Sequence, residues 1–414
     1  MWTLSKSPSL RLTTFGALYL AQGLPSGFVF ILYVVFLTDQ GLGNAAIGNA
    51  IGLMSIPWAL KIPLALLMDR FGATRFGRRR PYIVAAELGM GATLLSLLLL
   101  DPQRDLRLIG AVLFLHATFT AIQDAATDAL AVELLQDGER GKANGVMSAA
   151  KSAGVALTGG IGSLVVKRIG WSSLVIIITI LIWSVMTLVI AVRERPETDA
   201  QGAASAHNAF RFAELRRSFG ARTTLIGLAV AILTPAGPAL IGTVYTRLLR
   251  KDLGLSIETI GTLMGVIEPI AGISGALLGG ALADRVGMRK VAASAMAAFG
   301  TLLVLFGMST GLWHSFTFLV AISIALPFFA YAASAVLVGF YMRLTNPTVA
   351  ATQIAIFTAM TSITSAIAVP LGGRIAERHG AAAVFVTAGI LELTFLGLLR
   401  FCDPRAAEAQ FRAA

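Results

Sequence analysis

Apolar stretches of about 20 residues, the length that crosses a bilayer as a helix, follow one another along this whole chain. Twelve can be marked, at roughly 12–38, 45–68, 82–100, 107–132, 144–166, 172–192, 223–247, 257–282, 291–309, 315–342, 349–371 and 382–400. Few folds remain open to such a chain. In hydrocarbon each backbone N–H and C=O must find its partner within the segment, so these spans are expected to be helices. Hydrophobic residues make up 56% of the 414 and charged residues 13%, about half the charged share of a soluble domain. The first stretch is too long for a signal-peptide core and no cleavage signal follows it, so it reads as the first helix.

The formal charge of +11 raises the question of nucleic acid, and its distribution answers it. Most of the 33 Lys and Arg fall in the odd-to-even connections and the two tails. That is the positive-inside pattern. It places both termini in the cytoplasm and argues against a nucleic-acid partner. The one long polar segment, 193–222, contains Pro196 and the basic residues Arg211, Arg216 and Arg217. It divides the chain into halves at 1–192 and 223–414, and its basic stretch suits anionic lipid headgroups. The lone Cys402 excludes an internal disulfide. There is no phosphate-binding glycine loop, no metal-ligand cluster and no room for a soluble catalytic domain. The expectation is a carrier that is not an enzyme and needs no cofactor.

The halves repeat each other. Asp69-Arg70-Phe71-Gly72 and Asp284-Arg285-Val286-Gly287 lie 215 residues apart, each between a long apolar helix and a basic loop. Ile47-Gly48 and Ile260-Gly261 open the two preceding helices alike. Two related halves around a midplane site is a common transporter plan.

Twelve spans, cytoplasmic termini, a central linker and the doubled Asp-Arg-x-Gly loop resemble the major facilitator superfamily. The first loop departs from that family's motif, because extra residues separate Gly72 from Arg78-Arg79-Arg80. Ala21-Gln22-Gly23-Leu24-Pro25, Phe76-Gly77-Arg78-Arg79-Arg80-Pro81, Gln123-Asp124-x-x-x-Asp128 and Glu139-Arg140-Gly141 are similar to the branch of muropeptide permeases and acetyl-CoA transporters. In size the chain is most similar to the siderophore permeases of the rhizobactin and pyochelin type. The resemblance implies an all-α fold of two six-helix bundles. It also implies a monomeric, proton-coupled importer of an iron–siderophore complex. A muropeptide or other organic solute, or proton-coupled efflux, is the alternative.

Ionisable side chains inside a bilayer are costly, so each needs a role or a partner. His116, Thr120, Asp124 and Asp128 recur every four residues on helix 4. Asp124 is read either as the proton site or as a structural partner of Lys61 or Lys151. Glu268 on helix 8 is a second candidate for coupling. Gln22, Trp58, Lys61, Lys151, Tyr331 and Gln353 are candidates for substrate contact, the two lysines attracting negative charge. Asp69, Arg70, Arg78, Arg79 and Asp128, with Asp284, Arg285 and Arg289, are the expected inner gate. Arg80 is expected in a solvated loop, Tyr245 as an interface anchor, His116 as a packing residue, and Glu87 and Glu392 in structural pairs.

Overall fold

The computed structural model describes residues 2–61, 63–64, 68, 77–135, 139–194, 222–344, 350–399 and 401. Among these described residues, ten stretches are long and apolar enough to cross a membrane. In chain order the helices are α1 (Pro8–Asp39), α2 (from Asn44, described in part), α3 (Arg80–Leu99), α4 (Leu106–Leu134), α5 (Lys142–Ile169) and α6 (Trp171–Ala191). After residue 222 come α7 (Thr224–Asp252), α8 (Ile257–Val286), α9 (Met288–Met308) and α10 (Phe316–Leu344). The final run, Ala350–Leu399, turns at Gly380, whose φ of 83° only glycine adopts without strain. It is therefore two helices, α11 (350–379) and α12 (381–399). Residues 195–221 of the expected linker, and the tail with Cys402, lie outside the described residues, as do Asp69 and Arg70.

The helices pack by the rules of a membrane interior, where small residues let backbones approach. On α1, Gly23 faces the Lys151 carbonyl and Gly154 of α5. On α8, Gly275 and Gly279 receive Phe328 and Ala332 of α10. A ring cluster joins α7, α9 and α12: Phe306 meets Phe385 edge-on at 4.7 Å, and Tyr245 and Trp313 close around them. Tyr245 is thus buried, its hydroxyl 3.0 Å from that of Ser323, and is not the interface anchor its place in the sequence suggested. Outward residues such as Leu277 and Ile180 are exposed, as lipid-facing positions are.

A two-residue parallel pairing, β1 (Trp2–Thr3) with β2 (Val192–Arg193), ties the start of the chain to the end of α6. Beside it, the Glu194 carboxylate accepts hydrogen bonds from the backbone N–H groups of Arg78 (2.9 Å), Arg79 (2.8 Å) and Arg80 (2.7 Å). These donors open α3, where N–H groups lack helical partners and favour negative charge. Gly77 precedes them at φ 115°, and a Cβ there would sit 2.6 Å from the Glu194 carboxylate. Gly77→Ala is therefore expected to lower stability by about 1–3 kcal/mol, seen as a lower melting temperature of the purified protein. An unchanged melting temperature would count against this account of the cap.

Candidate functional site

Packing between the first six and last six helices gathers at one end of the bundle. There α2 lies along α11, and a Cβ on Gly48 would come within 3.0 Å of the Val369 carbonyl. Gly159 and Gly160 of α5 cross Gly261 and Gly265 of α8 with almost no side chain between the backbones. Arg250 reaches Asp39 with two hydrogen bonds, 2.6 and 2.9 Å. Lys167 meets Glu258 at 2.9 Å, and Glu377 accepts from the Ala45 N–H at 2.9 Å. Exposed ion pairs contribute little energy singly, but all these tie the two sets of helices at the same end.

The other end carries the basic loops. Arg79 contacts Glu133 at 3.0 Å and Arg78 contacts it at 3.7 Å. Arg11 is held by Glu139 at 2.7 Å. Arg80 is buried, donating to the carbonyls of Val189 (3.1 Å) and Ile190 (2.8 Å), so it belongs to the packed end of α6 and not to a solvated loop. Asp284, Arg285 and Arg289 are exposed, and none joins an ion pair among the described residues.

Between the ends, helix 4's carboxylates form the densest polar group. Lys61 on α2 donates to Asp124 and, at 2.7 Å, to Asp128. Tyr19 of α1 donates to Asp128 at 2.6 Å. Gln22 donates to Asp124 at 3.0 Å and to Gln123 at 2.5 Å. Gln123 donates in turn to Glu87 at 3.0 Å. Lys151 stands 5.3 Å over the Trp58 ring and 3.4 Å from the Gln22 amide oxygen. Gln22, Lys61, Trp58, Lys151, Asp124 and Asp128 are thus brought together, as one network on the N-terminal side.

Two features of this network differ from the sequence reading. Asp128 serves Lys61 and Tyr19, while the loop arginines take Glu133, which is more than a turn nearer their end of α4. His116 leaves the polar stripe, because each four-residue step overshoots a helical turn by about 40°. It faces α3, 2.9 Å from the Thr93 hydroxyl, off the stripe but in the packing position expected for it. Tyr19, Glu133 and Glu194 were not singled out from sequence, and Gln123 entered only as part of a motif; nothing in their spacing announced these contacts.

A separate cavity of about 780 Å³ lies mainly on the C-terminal side. It is bounded by Phe30 and Ser55 from the first half and by α7, α8, α9, α10, α11 and α12 from the second. Glu268 and Tyr331 line it. Gln22, Lys61, Trp58, Lys151 and Gln353 do not; Gln353 is buried, its amide 3.4 Å from the Thr224 hydroxyl of α7. Glu392 also lines the cavity, with Oε1 buried and without a hydrogen-bond partner. It is not in the structural pair expected for it. Pro235, Gly237 and Pro238 break α7 beside it, and a broken helix at the midplane marks many transporter sites.

Comparison with known proteins agrees with this architecture. The family model described as Major Facilitator Superfamily matches residues 15–237 and 223–413. The chain is 25% identical over 395 residues to the anhydromuropeptide permease of Escherichia coli (strain K12), covering 92% of this chain and 77% of that one. It is 23% identical over 420 residues to the putative transporter AmpG 4 of Rickettsia felis, covering 95% and 97%. Among solved structures, the nucleoside transporter NupG superposes with a TM-score of 0.73 at 14% identity, covering 97% of this chain and 99% of that one. The D-xylose-proton symporter gives 0.67 at 17% identity, covering 94% and 96%.

Proposed function

Because the chain belongs to the Major Facilitator Superfamily, we propose that it is a secondary permease of the bacterial cytoplasmic membrane carrying a muropeptide-like solute. Whole-chain likeness to the anhydromuropeptide permease of Escherichia coli carries this reading. The relatives named above give no support to the iron–siderophore cargo expected from chain length. The cavity of about 780 Å³ is within the range of pockets that enclose drug-sized ligands.

Transport follows from the two ends. We take the helices, joined across the halves at the Asp39–Arg250 end, as parted at the Arg78–Arg80 end, which presents the cavity to one side only. With the basic loops cytoplasmic, this conformation is inward-open and the halves 1–192 and 223–414 rock around the cavity. Asp284, Arg285 and Arg289 find partners only when the loop end closes, which suits a gate. The Lys61–Asp124–Asp128 cluster sets one ammonium against two carboxylates. A proton arriving there changes which carboxylate Lys61 holds, and so couples protonation to the positions of α2 and α4.

Proteoliposomes containing the protein are expected to accumulate labelled anhydro-muropeptide under an imposed inward proton gradient, and to stop when a protonophore is added. Uptake of ferric pyochelin in place of the muropeptide would return the cargo to the siderophore reading. Uptake indifferent to the protonophore would remove proton coupling.

A further inference from the structure

The cavity has an unbalanced charge. Of the described residues lining it, only Glu268 and Glu392 are ionisable acids or bases, apart from the Tyr331 phenol; no described Lys, Arg or His joins them. All the intramembrane cations already described, Lys61 and Lys151, belong to the N-terminal network, where carboxylate and amide oxygens and the Trp58 ring occupy them. They are not available to the C-terminal wall.

Glu392 is the sharper of the two carboxylates. Its residue is 2% exposed, its Oε1 has no hydrogen-bond partner, and it borders the cavity between α7 and α9. A Cβ placed on Gly237 would lie 2.7 Å from that oxygen, and one on Gly300 would lie 3.1 Å from the Glu392 Cβ. Glycines on two neighbouring helices therefore make the room in which this carboxyl sits. A buried acceptor without a donor is rare in a folded protein, and this one lies at the cavity wall beneath Gly237, beside the break in α7.

Glu268 approaches the same space from α8. It lies within electrostatic reach of the Tyr331 and Tyr245 hydroxyls. Tyr331 packs its ring on Gly272 one turn further along α8 and leaves 54% of its surface exposed. Met264, Met296 and Phe299 complete an apolar surround. Carboxylates beside an exposed aromatic face and methionines fit an organic ammonium, which pairs with the first and stacks on the second. They fit a metal ion poorly: among the described residues no group of three metal-ligating side chains exists.

We propose that Glu392 and Glu268 form the subsite for a primary ammonium group of the transported solute, with Tyr331 covering its carbon stem. The proposal rests on the permease reading above and adds to it a charge requirement: the solute carries at least one free amine, held on the C-terminal side. Glu392 makes the pairing contact and Glu268 supplies the second negative charge.

The test uses the purified full chain and two probes of one shape, benzylammonium and the neutral benzyl alcohol, titrated by calorimetry. Benzylammonium is expected to bind at least tenfold more tightly than the alcohol. Glu392→Gln, which keeps the side chain's size, is expected to erase that preference, and Glu268→Gln to reduce it several-fold. Neither substitution should move alcohol binding, which controls for folding. Equal binding of the two probes by the unaltered protein, or an ammonium preference that survives Glu392→Gln, overturns the subsite. Anhydro-muropeptide binding is measured on the same preparation. Amine preference without any muropeptide binding overturns the cargo proposed above and leaves the ammonium subsite in place. Muropeptide binding with no amine preference does the reverse.

Discussion

Asp124→Asn is expected to abolish accumulation of solute against its gradient while exchange down the gradient continues. Asp124 is almost fully enclosed and shares Lys61 with Asp128. Removing one member of a buried charge pair commonly costs about 3–5 kcal/mol, because the other charge is left alone. Here the cost is smaller, since Asp128 remains 2.7 Å from Lys61 and the asparagine amide can still meet Gln22. The bundle therefore survives. What disappears is the second carboxylate, and with it the choice of partner on which the proposed coupling depends. Counterflow in proteoliposomes reads the folded, moving carrier; gradient-driven uptake reads coupling. Uphill uptake at the unaltered rate would show that Asp124 is a structural partner of Lys61 only. Loss of both activities with loss of the folded protein would give the same answer.

Gly265→Leu is expected to eliminate transport by a different route, with at least a tenfold fall in both counterflow and uphill uptake. At Gly265 a Cβ would run into the Gly160 amide and the Gly159 carbonyl carbon of α5, all of it backbone that cannot swing aside. A leucine there holds α5 and α8 apart at the end now closed. The Asp39–Arg250 and Lys167–Glu258 pairs lose their spacing in consequence. Because a ligand shifts a conformational equilibrium only by its differential affinity, solute would not restore closure against this clash. Spin labels placed on Lys167 and Glu258 neighbours, at Arg168 and Thr259, should report a longer separation than in the unaltered protein. An unchanged separation, or normal transport, would mean that the crossing relaxes without opening.

The spans were readable in the amino-acid order because bilayer thickness imposes a length that no tertiary contact alters; α6, expected at 172–192, runs Trp171–Ala191. Of the repeated loops only the second, Asp284–Gly287, falls among the described residues. Facing was less so. Asp124 and Asp128 could be placed on one stripe, and Lys61 was a plausible partner, since all three are fixed by helical period and distance from a loop. Glu392 could not be read as a cavity residue. Around it, Leu391, Leu393 and Thr394 give no polar stripe to show which side of α12 meets water, and Gly237 and Gly300, which make its space, are 155 and 92 residues away in the chain. Arg80 was misjudged for a similar reason: its acceptors are the carbonyls of Val189 and Ile190, and any residue has a carbonyl, so no side-chain pattern announces them. Asp69 and Arg70 lie outside the described residues.

The Lys61 pair has a consequence for how the chain is made. Lys61 leaves the ribosome 63 residues ahead of Asp124, so α2 reaches the membrane while its counter-charge has yet to be synthesised. A lone lysine at the centre of an inserting helix costs about 2.5–3.5 kcal/mol, and Pro57 and Pro63 on either side weaken the helix further. During that interval α2 is poorly suited to lipid on its own. Its place in the bilayer becomes favourable only when α4 brings Asp124 and Asp128 to Lys61, so the order of synthesis leaves this lysine without its counter-charges for the span of two helices.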